Sequence, residues 1–591
     1  MRFVLAIVSF LLAAVLIGAG LAQRTIFAAP DRVIENISVD STAPVTIIDG
    51  TTLNAFPRSQ TVKIDGSATV FAAYGRTTDV MAWVGTASYN TVSFDPETAE
   101  LTSETIAGTE ETVPSPAGSD LWLSENSAES ALAFTVNVPD DISVIIVSDG
   151  QTPAPANISL SWPLDNSTPW SGPLVAAGGL LLLLGLAFLI WAVAHLRRAR
   201  GPRRNQPKMP KMPKLPKPPR YKPTKQKALP VGASRGRRSI RSSIAALPVV
   251  LVVSLALGAC SATPAPSVPV PTPTESSDAT NALPAIAEEE QPAVTVLQAR
   301  RIIADAAAVA ASADESNSVK TLATRFSGPA LERRTAAYKI HKADSKSDPL
   351  LTIPAGPVSL TLPSKSDGWP RTVFAVVQDE TDTEVPTVAY MLIQDDARSQ
   401  YKVHYVTTLE PGLELPPLAN ASVGAIRVAD DSKFFTLEPS LLAEAYGSIL
   451  MKDEKSPYYE LFEAEGDTLR ADVGVAAKKA RQKKLPDTAS LKFSVEPGDG
   501  QAVVLSTNDS GALVAVELME TETVKPIQTG AAVNAPKDVK ALLGKSLSTK
   551  GITATYADQL LFYVPSATVG GKIVLLGYSQ GLVSASELKK K

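Results

Sequence analysis

The stretch RGRRSIRSSIAALPVVLVVSLALGAC, residues 235–260, decides how the chain divides. Arg235, Arg237, Arg238 and Arg241 lead into an apolar run at 243–259, and Leu257, Gly258 and Ala259 bring it to Cys260, the one cysteine of the 591-residue chain. As a helix the run reaches only about 25 Å, short of the roughly 30 Å hydrocarbon core, and Pro248 interrupts it. Those are the proportions of the apolar part of an export signal. The stretch lies in mid-chain, so the upstream part reads as one membrane protein and the downstream part as a second, tethered one.

Upstream, residues 3–22 form an apolar run of 20 residues, long enough as a helix to span a bilayer. We read 1–24 as a membrane anchor; the alternative is a cleaved signal, since the small residues Ala22, Ala28 and Ala29 come next. Residues 31–168 carry short runs rich in Val, Ile, Thr and aromatics, broken by Asp-Gly, Asn and Pro: VTIIDG from Val45, QTVKIDGSATVFAAYG from Gln60, DVMAWVG from Asp79, ALAFTVNV from Ala131 and ISVIIVSDG from Ile142. Each is expected to be a strand, giving an all-β sandwich or barrel. From Asp31 to Asp165 there are 19 acidic and four basic residues, a net of −15; this surplus is expected to coat a solvated face.

Residues 173–195 hold LLLLLGLAFLIW, flanked by Trp170 and Trp191, and read as a transmembrane helix. His195, Arg197, Arg198 and Arg200 come directly after it, which puts that end in the cytoplasm and the β domain outside. From Arg197 to Arg241 there are 17 basic residues and no acidic one, so 196–241 is expected to be a cytoplasmic loop. Within it Lys208, Lys211, Lys214 and Lys217 recur every third residue among prolines. In polyproline II, with three residues per turn, they form one charged ridge. The ridge is expected to lie near anionic lipid, each basic group being worth about 1 kcal/mol there; a proline-recognition partner is the other reading.

The charge lead, run length, small residues and sole cysteine of 242–260 resemble the lipobox of bacterial lipoproteins. The resemblance covers Leu257, Gly258, Ala259 and Cys260 with their basic approach. It implies a diacylglyceryl group on the Cys260 thiol and cleavage just before it, with two acyl chains giving a stable anchor. The family carries this signal at its amino terminus, whereas here it is internal; a third transmembrane segment is the alternative. The Ala and Pro richness is similar to that of actinobacterial membrane proteins.

Residues 261–294, with SVPVPTPTESS, read as an extended tether. Beyond it, Thr295 and Gln298 form a capping-box pattern before a helix. A second helix is expected over 318–326, a third opens at Pro329, and strands are expected at 358–362, 372–378, 387–394 and 401–408. The order then repeats: Thr436 is expected to cap a helix with Leu442, Ala445, Tyr446 and Ile449 on one face. Another helix runs from Pro457, with strands after it at 491–495, 502–506, 512–519, 552–563 and 572–578. Two tandem α+β domains, 295–415 and 418–591, are the expectation. Their element order is similar to that of folds related to nuclear transport factor 2.

No motif carries chemistry. GYSQG at 577–581 is read as a partial match to the Gly-x-Ser-x-Gly nucleophile pattern and set aside. Asp395 with Asp396, and Asp430 with Asp431, fall in expected turns and are not read as a glycosidase pair. His404 is read as a sheet histidine, and Tyr458, Tyr459 and Phe462 as packing aromatics. With one cysteine and the histidines His195, His341 and His404, a zinc site is not expected. No catalytic, cofactor or metal residue is assigned, and no nucleic-acid partner. The expectation is a multidomain membrane protein of the plasma membrane with both folded regions outside. Its role is binding or assembly, and its partners are the membrane, anionic lipids and an envelope protein or polysaccharide. The rivals are a precursor cut before Cys260 and an envelope polysaccharide-acting enzyme or glycosyltransferase-associated protein.

Overall fold

The structure, a computed structural model, describes residues 2–28, 30–40, 42–164, 166–199, 291–347, 350–378 and 386–589. Among these, the helices Arg2–Thr25 and Ser171–Ala199 are long and apolar enough to cross a membrane. Small residues recur at heptad spacing on both: Ala6, Ala13 and Gly20 on the first, Gly178, Gly185 and Ala192 on the second. A Cβ added to Gly178 would stand 2.6 Å from the Ile17 side chain, and one on Gly185 would stand 3.1 Å from the Phe10 ring. The helices therefore run antiparallel, at a separation that only small side chains allow.

The β region is an eight-stranded sheet in the order β1 (Arg32–Ser38), β8 (Asn157–Pro163), β3 (Gln60–Arg76), β7 (Ile142–Val147), β2 (Val45–Ile48), β4 (Tyr89–Asp95) and β5 (Glu100–Ile106). Its remaining strand, β6 (Ser124–Val136), also pairs with β3. The long β3 is the spine: β8 pairs along its first half and β7 along its second. Both faces of the sheet are covered. Val62, Ile64, Val144 and Ile146 enter one core with Trp162, while Phe71, Ala73, Ile145 and Val147 enter a second with Trp83 and Trp122. This is why ISVIIV is apolar throughout instead of alternating.

One expected strand is a helix. DVMAWVG falls in Thr77–Val84, with Val80, Trp83 and Val84 buried. Their i, i+3, i+4 spacing is that of one helical face, and Gly85 ends the helix at φ 62°.

The carboxy-terminal region opens with the expected capping box. Thr295 accepts from the Gln298 amide while Gln298 caps in return, and the helix Val296–Ser316 begins there. The helices Val319–Leu322 and Gly328–Ala343 come next, Ser318 and Pro329 standing at their starts. Thr436 does not cap the later helix. That helix spans Leu442–Lys452, and Thr436 donates to the Pro565 carbonyl instead. The helix expected from Pro457 is broken into Thr468–Val473 and Val475–Lys483.

Strands from both expected α+β units belong to one nine-stranded sheet. The first half contributes β9 (Val358–Pro363), β10 (Arg371–Val377), β11 (Val388–Gln394) and β12 (Lys402–Leu409). The second contributes β13 (Ala489–Pro497), β14 (Val503–Ser506), β15 (Ala512–Pro526), β18 (Ile552–Val564) and β19 (Val574–Glu587); the short β16 (Val533–Asn534) and β17 (Leu547–Ser548) pair separately. The halves join where Thr408 pairs with Tyr578 and Leu409 with Gly577. Phe374, Met391 and Tyr405 from the first half share a core with Val503, Leu513 and Leu561 from the second. The sheet therefore bends until its halves face each other, and helices pack on the two outer faces.

The β region and this module meet along a buried polar seam. Asp120 receives the Arg325 guanidinium at 2.5 Å and the Tyr401 amide at 2.8 Å, with both charged side chains almost fully buried. Gln298 and Arg301 donate to the carbonyls of Asp120, Leu121 and Trp122. Asp79 takes Arg76 from its own region and Arg371 from the module, the latter at 2.7 Å. Arg398 donates to the carbonyls of Trp83 and Val84, and Ala397 enters the Trp83–Trp122 core. Two members of the acidic surplus thus hold the regions together instead of facing water.

Removing one partner of a buried ion pair strands the other charge. Asp120→Ala should lower stability by about 3–5 kcal/mol, seen as an earlier denaturant midpoint of the full chain. Asp31→Ala, which removes an exposed pair with Arg32, should leave the midpoint in place.

Candidate functional site

β19 carries GYSQG, and the structure gives each of its fixed residues a place. The letters satisfy Gly-x-Ser-x-Gly in full, which corrects the expectation of a partial match. What excludes a nucleophile elbow is the backbone: the motif lies inside a strand, not on a strand-to-helix turn. A Cβ on Gly577 would stand 2.5 Å from the Thr408 carbonyl oxygen, so glycine is what lets β12 and β19 join. Ser579 is buried and donates to the Val406 carbonyl at 2.6 Å, while the Val406 amide donates to Gln559 at 2.8 Å. These two side chains replace the strand pairing that β12 lacks at that point. A Cβ on Gly581 would stand 2.6 Å from Arg333 Nε, so the second glycine makes room for that arginine.

Arg333 projects from the helix Gly328–Ala343 to the junction of two cavities. The smaller, about 160 Å³, is lined mainly by apolar residues including Phe326, Ala330, Ile340, Leu350, Ile353 and Leu582. The larger is an open groove of about 1150 Å³, with Leu360, Val376, Leu409, Tyr578, Ser579 and Gln580 in its lining. Arg334, next in sequence, is fully engaged by Asp314 and by the Leu351 carbonyl. Arg333 makes no hydrogen bond or ion pair among the described residues. Burial and the neighbouring Arg334 charge push its pKa down to about 10, and Asp558 alone opposes them.

Asp558, on β18, is fully buried with neither carboxylate oxygen in a well-formed hydrogen bond among the described residues. Burial first, and then Glu520, push it up to about 8, with Gln580, Lys478 and Arg333 pulling the other way. It is thus mostly protonated at neutral pH and leaves the Arg333 charge uncompensated. Glu410, which also lines the groove, is held by the Thr468 amide and hydroxyl. A half-buried cation without a carboxylate partner, set between an apolar cavity and an open groove, can receive an anionic or amphipathic ligand.

Several residues singled out in the sequence have structural roles. His404 places Nδ1 3.1 Å from the Ser327 hydroxyl, and burial pulls its pKa down to about 4. Asp396 closes a turn by accepting from Arg398 and Ser399. Phe462 packs against Tyr446 and Phe562, and Tyr459 lies under the Arg470 guanidinium. Cys260, Leu257, Gly258 and Ala259, with Lys208, Lys211, Lys214 and Lys217, lie outside the described residues. Among the described residues no three His, Cys, Asp or Glu side chains converge as a metal set requires. Sequence reasoning missed Arg333 and Asp558: nothing separates Arg333 from Arg334 in the letters, and one Asp in a strand carries no spacing signal.

Asp558 sets a pH dependence. Its folded pKa lies above the unfolded value, so the stability it contributes is complete below about pH 4 and is lost as pH rises through about 8. Asp558→Asn should therefore be more stable than the parent at pH 8, by on the order of a few kcal/mol. The difference should close toward pH 4, as read from denaturant midpoints across that range.

A family model described as Domain of unknown function (DUF8094) matches residues 290–587. No curated protein and no solved structure matches the chain. The matched residues take in the whole nine-stranded sheet, its helices and the groove around Arg333, half of the sequence, and the chain belongs to the DUF8094 family.

Proposed function

We propose that the chain is a membrane-anchored binding or assembly protein of the cell envelope, without chemistry of its own, whose β region and DUF8094 module work together on the outer face. The observation that carries this reading is the buried seam. If the helices Arg2–Thr25 and Ser171–Ala199 each cross the membrane, the β region between them lies on one side and residue 199 emerges on the other. Asp120, Arg325, Asp79 and Arg371 are desolvated together, so residues 291–589 have to be on the side of the β region. The chain between 199 and 291 then returns across the membrane. Its one long apolar run is 243–259, ending at Cys260.

Arg197 and Arg198 at the end of the second helix favour the cytoplasm for that end. The basic loop with Lys208, Lys211, Lys214 and Lys217 then lies inside against anionic lipid, and the folded regions lie outside. Lipidation at Cys260 anchors the returning chain through two acyl groups. Cleavage before Cys260 is compatible with the same arrangement, because the seam would keep both products together. The groove beside Arg333 supplies the binding site.

Labelling with a membrane-impermeant maleimide on intact cells tests the sidedness, in a Cys260→Ser background. Ser127→Cys in the β region and Glu465→Cys in the module, both at exposed positions, should react on intact cells. Gln206→Cys should react only after lysis. Labelling of Glu465→Cys only after lysis would refute the proposal.

A further inference from the structure

Arg333 is a half-buried cation that the fold places between two cavities and does not pair. Its neighbour Arg334 shows what a structural arginine looks like here: Asp314 takes two of its guanidinium nitrogens, and the Leu351 carbonyl takes a third. No carboxylate among the described residues reaches Arg333, whose surroundings are two cavities instead. The sheet makes room for it by leaving Gly581 without a side chain. A guanidinium with no carboxylate partner, half-shielded between an apolar cavity and an open groove, is available to a ligand that brings the missing anion.

The shape of the site narrows the ligand. On one side of the guanidinium is the apolar cavity, closed by the helix Gly328–Ala343 and by Leu582; on the other is the open groove. A molecule that satisfies both has an anionic head and an alkyl tail. Charge narrows it again. Asp538 lines the apolar cavity and Glu410 and Glu414 the groove, so one unpaired guanidinium has three carboxylates in its wider surroundings. A head with two negative charges would be repelled, whereas a singly charged planar carboxylate matches the guanidinium fork. We propose that the cavity pair at Arg333 binds a fatty carboxylate, with its head on the guanidinium and its alkyl chain in the cavity lined by Phe326, Ala330, Ile340, Leu350, Ile353 and Leu582.

This deepens the binding role proposed above and rests on it. The test uses the full chain in phosphatidylcholine nanodiscs and a dodecanoate carrying a photoreactive group on its alkyl chain. Crosslinks should map to peptides covering 326–353 and 575–582. Dodecanoate should compete them away, and dodecanol should not. Arg333→Met should reduce labelling at least tenfold while the ligand-free variant melts no lower than the parent, because Arg333 gives the fold no hydrogen bond or ion pair among the described residues. Leu582→Trp, which fills the apolar cavity and keeps the guanidinium, should lose labelling too.

Equal labelling of Arg333→Met and parent would overturn the proposal. So would competition by dodecanol matching that by dodecanoate, or stronger competition by dodecyl phosphate. Sidedness is read separately by the maleimide, so absent photolabelling on a chain with both regions outside refutes the ligand and leaves the topology standing.

Discussion

The Asp120 carboxylate, buried against Arg325 and the Tyr401 amide, is the interaction on which the arrangement depends. Burial pushes its pKa up and Arg325 pulls it back, so within the closed seam the carboxylate depends on its guanidinium partner. Asp79 with Arg371 repeats the device within the same seam. Exposed pairs of this kind contribute little, but removing one partner of a desolvated pair while the surfaces stay together strands the other charge. A polar seam of this sort also fixes register, since Gln298, Arg301 and Arg398 each find a backbone carbonyl at one relative placement only.

That constraint orders the whole chain. The amino-terminal half supplies two apolar helices with a β region between them; the carboxy-terminal half, a DUF8094 module, is fastened to that region.

Much of the architecture was legible because it is local. VTIIDG, ISVIIVSDG and the four strands before Glu410 declare themselves through β-branched runs and turn residues, and Thr295 with Gln298 marks a helix start that the structure reproduces hydrogen bond by hydrogen bond. DVMAWVG misled because Val and Trp suit strands, while the helical spacing of Val80, Trp83 and Val84 was the better signal. What lay beyond the sequence is non-local. Asp120 and Arg325 are 205 positions apart, and β12 meets β19 across a long separation that leaves only Gly577 as its trace. The site was hidden for the same reason. Arg333 differs from Arg334 by what surrounds it in space, and GYSQG carries its glycines for backbone approach and for an arginine, not for a nucleophile.

The central claim is that the two folded regions are one body held by the seam and not by the linking chain. The most direct measurement inserts a site-specific protease sequence between residues 262 and 290 of the full chain. The chain is extracted in mild detergent and cut, and the amino-terminal fragment is recovered through its own affinity tag. The account predicts that the carboxy-terminal fragment stays bound in equal amount through gel filtration, and that it is lost when Arg301→Ala and Arg398→Ala are combined. Release of that fragment from the unaltered seam on cutting would contradict it.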